Sequence, residues 1–317
     1  MLAYAIKRIG LGLAILTAVM LVMYASVFIV PGNPARAALG PRATQEMVDK
    51  LTASMGLDQP YYVQVFRFFK GVLTGDFGID VISNRPVAQE IWEVLPNTLI
   101  LCGIGLGWAV LLAIPLGCLA VIKRDTWIDR AAGLISVSVI SLPYYVIAVY
   151  SLLFFAVKLQ WLPAIGDGED GDIMSQIRAL ILPAFAIGVT WVGYLARLVR
   201  ASMLEVMGEP HIRTARAFGL PETKIVFKYA LRIAIIPTLS LVAISLGGLI
   251  SNAVFVEMVF TRPGIGKLVT NAVNLRNYPV VMGAVLVMTA IYVSLTITAD
   301  LIIARLDPRI RDAFRGA

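Results

Sequence analysis

Long apolar runs alternate with short charged segments along this chain. A helix needs about 20 apolar residues to cross the hydrocarbon core of a bilayer. Six stretches reach that length, approximately residues 9–30, 97–121, 131–157, 178–200, 232–256 and 281–304. The third and fourth are the least sharply bounded, because Pro143 and Pro183 interrupt them. Proline is tolerated inside a spanning helix where neighbouring groups satisfy the freed carbonyl. The pattern therefore predicts an all-α polytopic membrane protein with six transmembrane helices.

The polar segments between the spans differ in character. Residues 31–96 form the one sizeable extramembrane piece. It opens with Pro-Gly-Asn-Pro and has a helical-looking stretch from Thr44 to Met55. Gly75, Gly78 and Pro86 mark turns, and Val87 to Leu95 reads as a short amphipathic helix. The piece is too small for an enzyme domain and suits a lid or docking platform. Residues 157–178 hold Asp167, Glu169, Asp170 and Asp172 among glycines, without the ligand spacing of a calcium loop; a solvated loop is expected. In 257–280, Gly266 and Lys267 superficially suggest a phosphate-binding loop, but Thr261 and Leu268 stand where that loop requires glycine and serine or threonine.

Composition agrees with the pattern. The 317 residues are 59% hydrophobic and 15% charged, with a mean hydropathy of +0.82. Soluble domains are about a quarter charged. The net charge of +7 fits Lys and Arg gathered in cytoplasmic loops better than nucleic-acid binding. With both termini inside, the inside segments are Lys7–Arg8, residues 122–130, residues 197–232 and the tail after 304. They carry roughly three times the Lys and Arg of the short outside loops. The chain then divides into a first helix (1–30), an extracytoplasmic segment (31–96), a five-helix core (97–304) and a cytoplasmic tail (305–317). Lys7 and Arg8 precede an apolar run longer than a signal-peptide core, so a retained first span is expected.

Candidate chemistry is sparse. Cys102 and Cys118 fall about 24 Å apart on one helix and cannot pair with each other. His211 is the only histidine, and no metal-binding or hydrolase motif occurs. Asp300, near the end of span six, is expected at the cytoplasmic interface, paired with Arg305. A proton-driven carrier would place acidic groups nearer mid-bilayer. Gly103 and Gly107 have the spacing of a close helix-packing pair.

The longest highly charged segment is Glu209–Pro237. Glu209 can cap a helix, Pro210 suits the first helical position, and Gly219 supplies a left-handed stop. Pro221 and Glu222 open a second helix that runs towards Pro237. The first helix is far too short to span a bilayer. Ile212, Ala215 and Phe218 are expected on one side, with Arg213 and Arg216 nearby. By itself the segment fits either a solvated connector or a helix that docks against a partner.

Residues 202–237, SMLEVMGEPHIRTARAFGLPETKIVFKYALRIAIIP, resemble the EAA loop of ABC-importer permeases of the dipeptide, oligopeptide and nickel branch. Arg213, Thr214 and Ala215 stand where the general motif has Glu-Ala-Ala, and Gly219 is its glycine. Phe218 departs from the branch, which usually has lysine there. IKRIG with PGNPA, LTGDFG followed by Arg85 and Pro86, FTRPGIGKL, NYPVVMGAVL and LDPRIR extend the resemblance over nearly the whole chain, in order and spacing.

The resemblance implies a type I ABC-importer permease in a bacterial inner membrane. It implies that Glu209, Pro210, His211, Ile212, Arg213, Thr214, Ala215, Arg216, Ala217, Phe218 and Gly219 form a coupling helix seated on a cytoplasmic ATPase. The implied partners are a second, related permease subunit, two ATPases, an extracytoplasmic substrate-binding protein and membrane lipid. No cofactor is expected on this chain; ATP and Mg belong to the ATPase subunits. Di- or oligopeptides are the expected cargo, with nickel chelates or glutathione as alternatives within the branch. A secondary carrier working alone is the alternative from another class.

Overall fold

The computed structural model describes residues 2–29, 34–40, 43–54 and 58–306. These are helical throughout, apart from turns and one isolated bridge between Ile79 and Pro86. The PGN of the PGNPA motif and the tail beyond Leu306, including most of LDPRIR, lie outside the described residues. The chain divides into two compact units, Met1–Thr98 with Pro263–Ala317, and Leu99–Arg262.

In the first unit, α1 (Leu2–Ile29) packs along α14 (Tyr278–Leu306). Gly12 permits this, since a Cβ there would lie 2.7 Å from the Val293 side chain. Arg8 on α1 pairs with Asp300 on α14 at 2.8 Å. The expected partner Arg305 has its side chain outside the described residues; the pair with Arg8 joins the two helices. After α1 in the chain come α2 (Pro34–Leu39), α3 (Gln45–Ser54) and α4 (Tyr61–Thr74). α3 matches the Thr44–Met55 expectation. α4, unanticipated, is tied to α1 by the Tyr24 hydroxyl, which donates to Gln64 Oε1 at 2.5 Å. The expected short helix Val87–Leu95 is the start of α5 (Val87–Ile122), a continuous helix of 36 residues. Pro96 does not end this helix.

α13 (Ile265–Asn274) is strongly amphipathic. Its Ile265 and Ala272 join Val87, Ile91 and Leu95 of α5 and Val280, Ala284 and Val287 of α14 in one core. Thr98 Oγ1 accepts from the Ile265 amide at 2.9 Å. The turn at Asp80 closes the same face. The Asp80 carboxylate accepts from the Ile82 amide at 2.7 Å and from the Asn277 side chain. Burial alone would raise this carboxyl, yet the bonds from Ile82, Ser83 and Asn277 outweigh it and hold the group below its ordinary value.

The second unit contains the remainder of α5 with α6 (Trp127–Ile140), α7 (Tyr144–Ser151, continued by a π-helical turn Leu152–Lys158) and α8 (Ile173–Met207). The expected third span is bent by 99° between α6 and the α7 segment. Pro143, at the N-cap of α7, makes the break, whereas Pro183 lies inside an unbroken α8. Five helices are long and apolar enough to cross a membrane, six if the bent pair is one span. Gly103 and Gly107 face open space; the close approach to α8 is made at Gly105 and Gly117, where a Cβ would collide with the side chains of Ile187 and Val199. Spacing alone does not reveal which face of a helix meets its neighbour.

Candidate functional site

α8 does not stop at residue 200. Val199, Met203 and Val206 recur on one face and continue the helix into the charged segment. The chain then turns at Gly208 and Glu209 into α9 (Pro210–Ala217). Glu209 has the extended backbone of an N-cap, and its carbonyl accepts from the Ile212 amide at 3.1 Å. Its side chain does not cap. The carboxylate lies 3.0 Å from His211 Nδ1 instead, still beside the positive end of the helix. Pro210 occupies the first turn, where a missing N–H costs nothing.

The helix ends as its glycine dictates. Gly219 has φ +71, the Gly219 amide donates to the Arg216 carbonyl at 2.9 Å, and the Leu220 amide donates to the Ala215 carbonyl at 3.3 Å. This is the Schellman arrangement. α10 (Glu222–Lys224) follows, then a π-helical turn Ile225–Ala230, α11 (Leu231–Ala234) and α12 (Ile236–Val259). Arg216 closes the corner: its Nη2 lies 2.6 Å from Glu222 Oε1 and its Nε 3.2 Å from Oε2. The Arg216 guanidinium thereby holds the Glu222 carboxyl below the usual carboxylate range. Each side chain is about half exposed, so the pair orders the corner more than it stabilises it.

One face of α9 is sealed. Ile212 and Ala215 are buried in a core with Cys118 and Val121 of α5, Val199, Met203 and Val206 of α8, and Ile225, Val226, Ala230 and Ala234 beyond the corner. Phe218, expected on that face, is 81% exposed. Each three-residue step drifts about 60° on a 3.6-residue helix. Phe218 therefore lies roughly 120° from Ile212, and the helix has ended at that residue. The open face presents His211, Arg213, Thr214, Ala217 and Phe218. Among the described residues Arg213 makes no ion pair, while Arg216 is committed to Glu222.

Two supporting features were not expected. One is the anchor on α8, whose signal is the apolar 199, 203, 206 spacing. The other is Asp129, whose two oxygens accept from Nε and Nη2 of Arg200, each at 2.7 Å. This pairing fixes α6 to α8 and joins residues far apart in sequence, so periodicity could not reveal it. Among the described residues no group of three His, Cys, Asp or Glu side chains could hold a metal ion.

A short helix with one sealed face and one open face, packed against α5, α8 and the Ile225–Ala234 stretch, can transmit a displacement between a partner and those helices. Residues 113–312 match the family described as binding-protein-dependent transport system inner membrane component, and residues 1–102 match the N-terminal part of such components. The chain belongs to this family. The permease is 32% identical over 332 residues to a dipeptide transport system permease protein DppB of Alkalihalophilus pseudofirmus, covering 98% of this chain and 100% of that one. It is 35% identical over 311 residues to glutathione transport system permease proteins GsiC of Shigella flexneri and Escherichia coli, covering 98% of this chain and 99% of each relative. An inward-facing structure of the MetNI methionine ABC transporter shares the fold, with TM-score 0.56 and 19% identity over 70% of this chain and 96% of that one. The permease is thus a multi-pass membrane component of an ABC importer and not itself a catalyst.

Proposed function

We propose that this permease forms half of the path through which an ATP-driven importer brings di- or oligopeptides into a bacterial cell. The observation that carries the reading is α9, sealed on Ile212 and Ala215 and open on Arg213 and Phe218. Glu209–Gly219 is the coupling element, seated on a cytoplasmic ATPase. Both chain termini are cytoplasmic, in keeping with the Lys and Arg distribution. A second, related permease completes the path. Two ATPase subunits bind ATP and Mg, and their closure pushes both coupling helices. The push passes through the α9 core into α5, α8 and the Ile225–Ala234 stretch, turning the path outward. On the outer face a substrate-binding protein delivers cargo over the 31–96 segment and α13.

Peptide cargo is supported by relatives named for dipeptide and glutathione transport. The glutathione names favour a second reading, in which glutathione itself is the cargo. The test is the reconstituted complex of permeases, ATPases and binding protein in vesicles. ATP-dependent uptake of dipeptides, stimulated by the loaded binding protein, is expected. Uptake of glutathione alone would select the second reading. Uptake by the isolated permease, driven by a proton gradient and indifferent to ATP, would overturn both.

A further inference from the structure

A groove of about 340 Å³ runs between α6 and α8. Leu116, Ile128, Ala132, Gly133, Val192 and Ala196 line it, and Trp127, Arg197 and Arg200 stand at one end. Its wall is apolar, and α8 on one side of it is long and apolar enough to cross a membrane. The end with the two arginines adjoins the segment carrying Lys123, Arg124 and Arg130, which the charge distribution assigns to the cytoplasmic face. Arg200 is already held by Asp129. Arg197 is exposed and makes no ion pair among the described residues. Trp127 is 77% exposed at the start of α6, an amphipathic ring where a spanning segment meets the headgroup layer.

We propose that this groove binds an anionic phospholipid, one acyl chain lying along the apolar wall and the phosphate meeting Arg197. Three observations converge: an apolar trough beside a helix long enough to cross a membrane, an exposed cation without an ion pair at one end of it, and an exposed tryptophan at that same end. Basic pockets between helices on the cytoplasmic side recognise acidic headgroups, and each nearby cation adds to the attraction. A helix of the second permease would fill the apolar part but would need an acidic residue at Arg197. The proposal rests on the membrane topology used above and is independent of the cargo.

Gly133 supplies a clean probe, because a Cβ there has nothing within 4 Å. The first carbon of a larger side chain there displaces no neighbour and starts it into open space beside the groove. The assembled transporter in detergent is titrated with phosphatidylglycerol and with phosphatidylcholine of the same chain length, and bound lipid is counted by native mass spectrometry. The wild type is expected to hold one phosphatidylglycerol per copy of this chain, roughly fivefold tighter than phosphatidylcholine. Arg197→Gln should erase that preference while leaving chain binding intact. Gly133→Leu should displace both lipids. Equal affinity of the wild type for both lipids, or lipid retention unchanged in Gly133→Leu, overturns the proposal. So does loss of the second permease from Gly133→Leu with lipid retained, which would make a subunit the occupant. Should Gly133→Leu fail to assemble, the exposed Arg197→Gln still decides. Dipeptide uptake in the vesicle assay separates failure of this site from failure of the importer reading.

Discussion

At the scale of single residues, Gly219 is the most constrained position in the coupling segment. Its left-handed φ of +71 excludes branched side chains, although open space surrounds it. Gly219→Val should cost about 1–3 kcal/mol of local backbone strain. The expected outcome is normal membrane insertion with ATP hydrolysis uncoupled from uptake, read by comparing both rates in vesicles. The arginines separate by their partners. Arg213→Glu should weaken co-purification of the ATPase directly, an effect strongest at low salt. Arg216→Glu also breaks the corner with Glu222, and the exchange Arg216→Glu with Glu222→Arg should restore recovery. Phe218→Ala is expected to leave stability within about 0.5 kcal/mol, because the side chain is 81% exposed, and yet to reduce ATPase recovery. Pro210 and Gly219 were legible because each tolerates or requires a specific backbone geometry. The placement of Phe218 was not, because three-residue spacing persists on one face only briefly.

At the scale of elements, a helix of eight residues has marginal stability in water. The α9 segment is ordered by what its apolar side covers, and that cover comes from α5, α8 and the Ile225–Ala234 stretch. The Asp129–Arg200 pair holds α6 against α8 close to this core. Arg200→Ala leaves a carboxylate that is 8% exposed without its cation. A loss of about 1–3 kcal/mol is expected, since Arg200 is itself 33% exposed and the Asp125 amide still donates to the carboxylate. Thermal unfolding in detergent measures it, and Asp129→Leu combined with Arg200→Met should recover most of the loss. The long helices were visible as apolar runs. The 99° break at Pro143 and the unbroken course through Pro183 were not, because a proline kinks a helix only as far as its surroundings permit.

At the scale of the whole molecule, segments remote in sequence hold each other in place. Asp80 and Asn277, both buried, link the turn before α5 to the start of α14. The Asp80 carboxyl sits below its ordinary value of 3.8 in the folded protein. Its contribution is therefore fully present above the ordinary value and is lost as pH falls through the folded value. Melting temperature measured from pH 6 downward should decline on this limb for the wild type and less for Asp80→Asn. The same variant should be less stable by about 1–3 kcal/mol at neutral pH, because its amide cannot accept all the bonds the carboxylate receives.

The sequence by itself determined that the chain is an all-α membrane protein, where its long apolar helices lie, and where α9 begins and ends. Transfer into a bilayer depends on run length and composition, and helix ends depend on local backbone geometry, so both are written locally. Motifs spread in order along the chain also fixed the family before any contact was known. The tertiary structure alone decided which faces are sealed. It turned Phe218 outward, gave Arg216 to Glu222 and Asp129 to Arg200, joined Asp300 to Arg8, and left Arg197 open beside an apolar groove. Each of these depends on which surfaces meet, and helices of similar apolar character offer many faces that differ only in what packs against them.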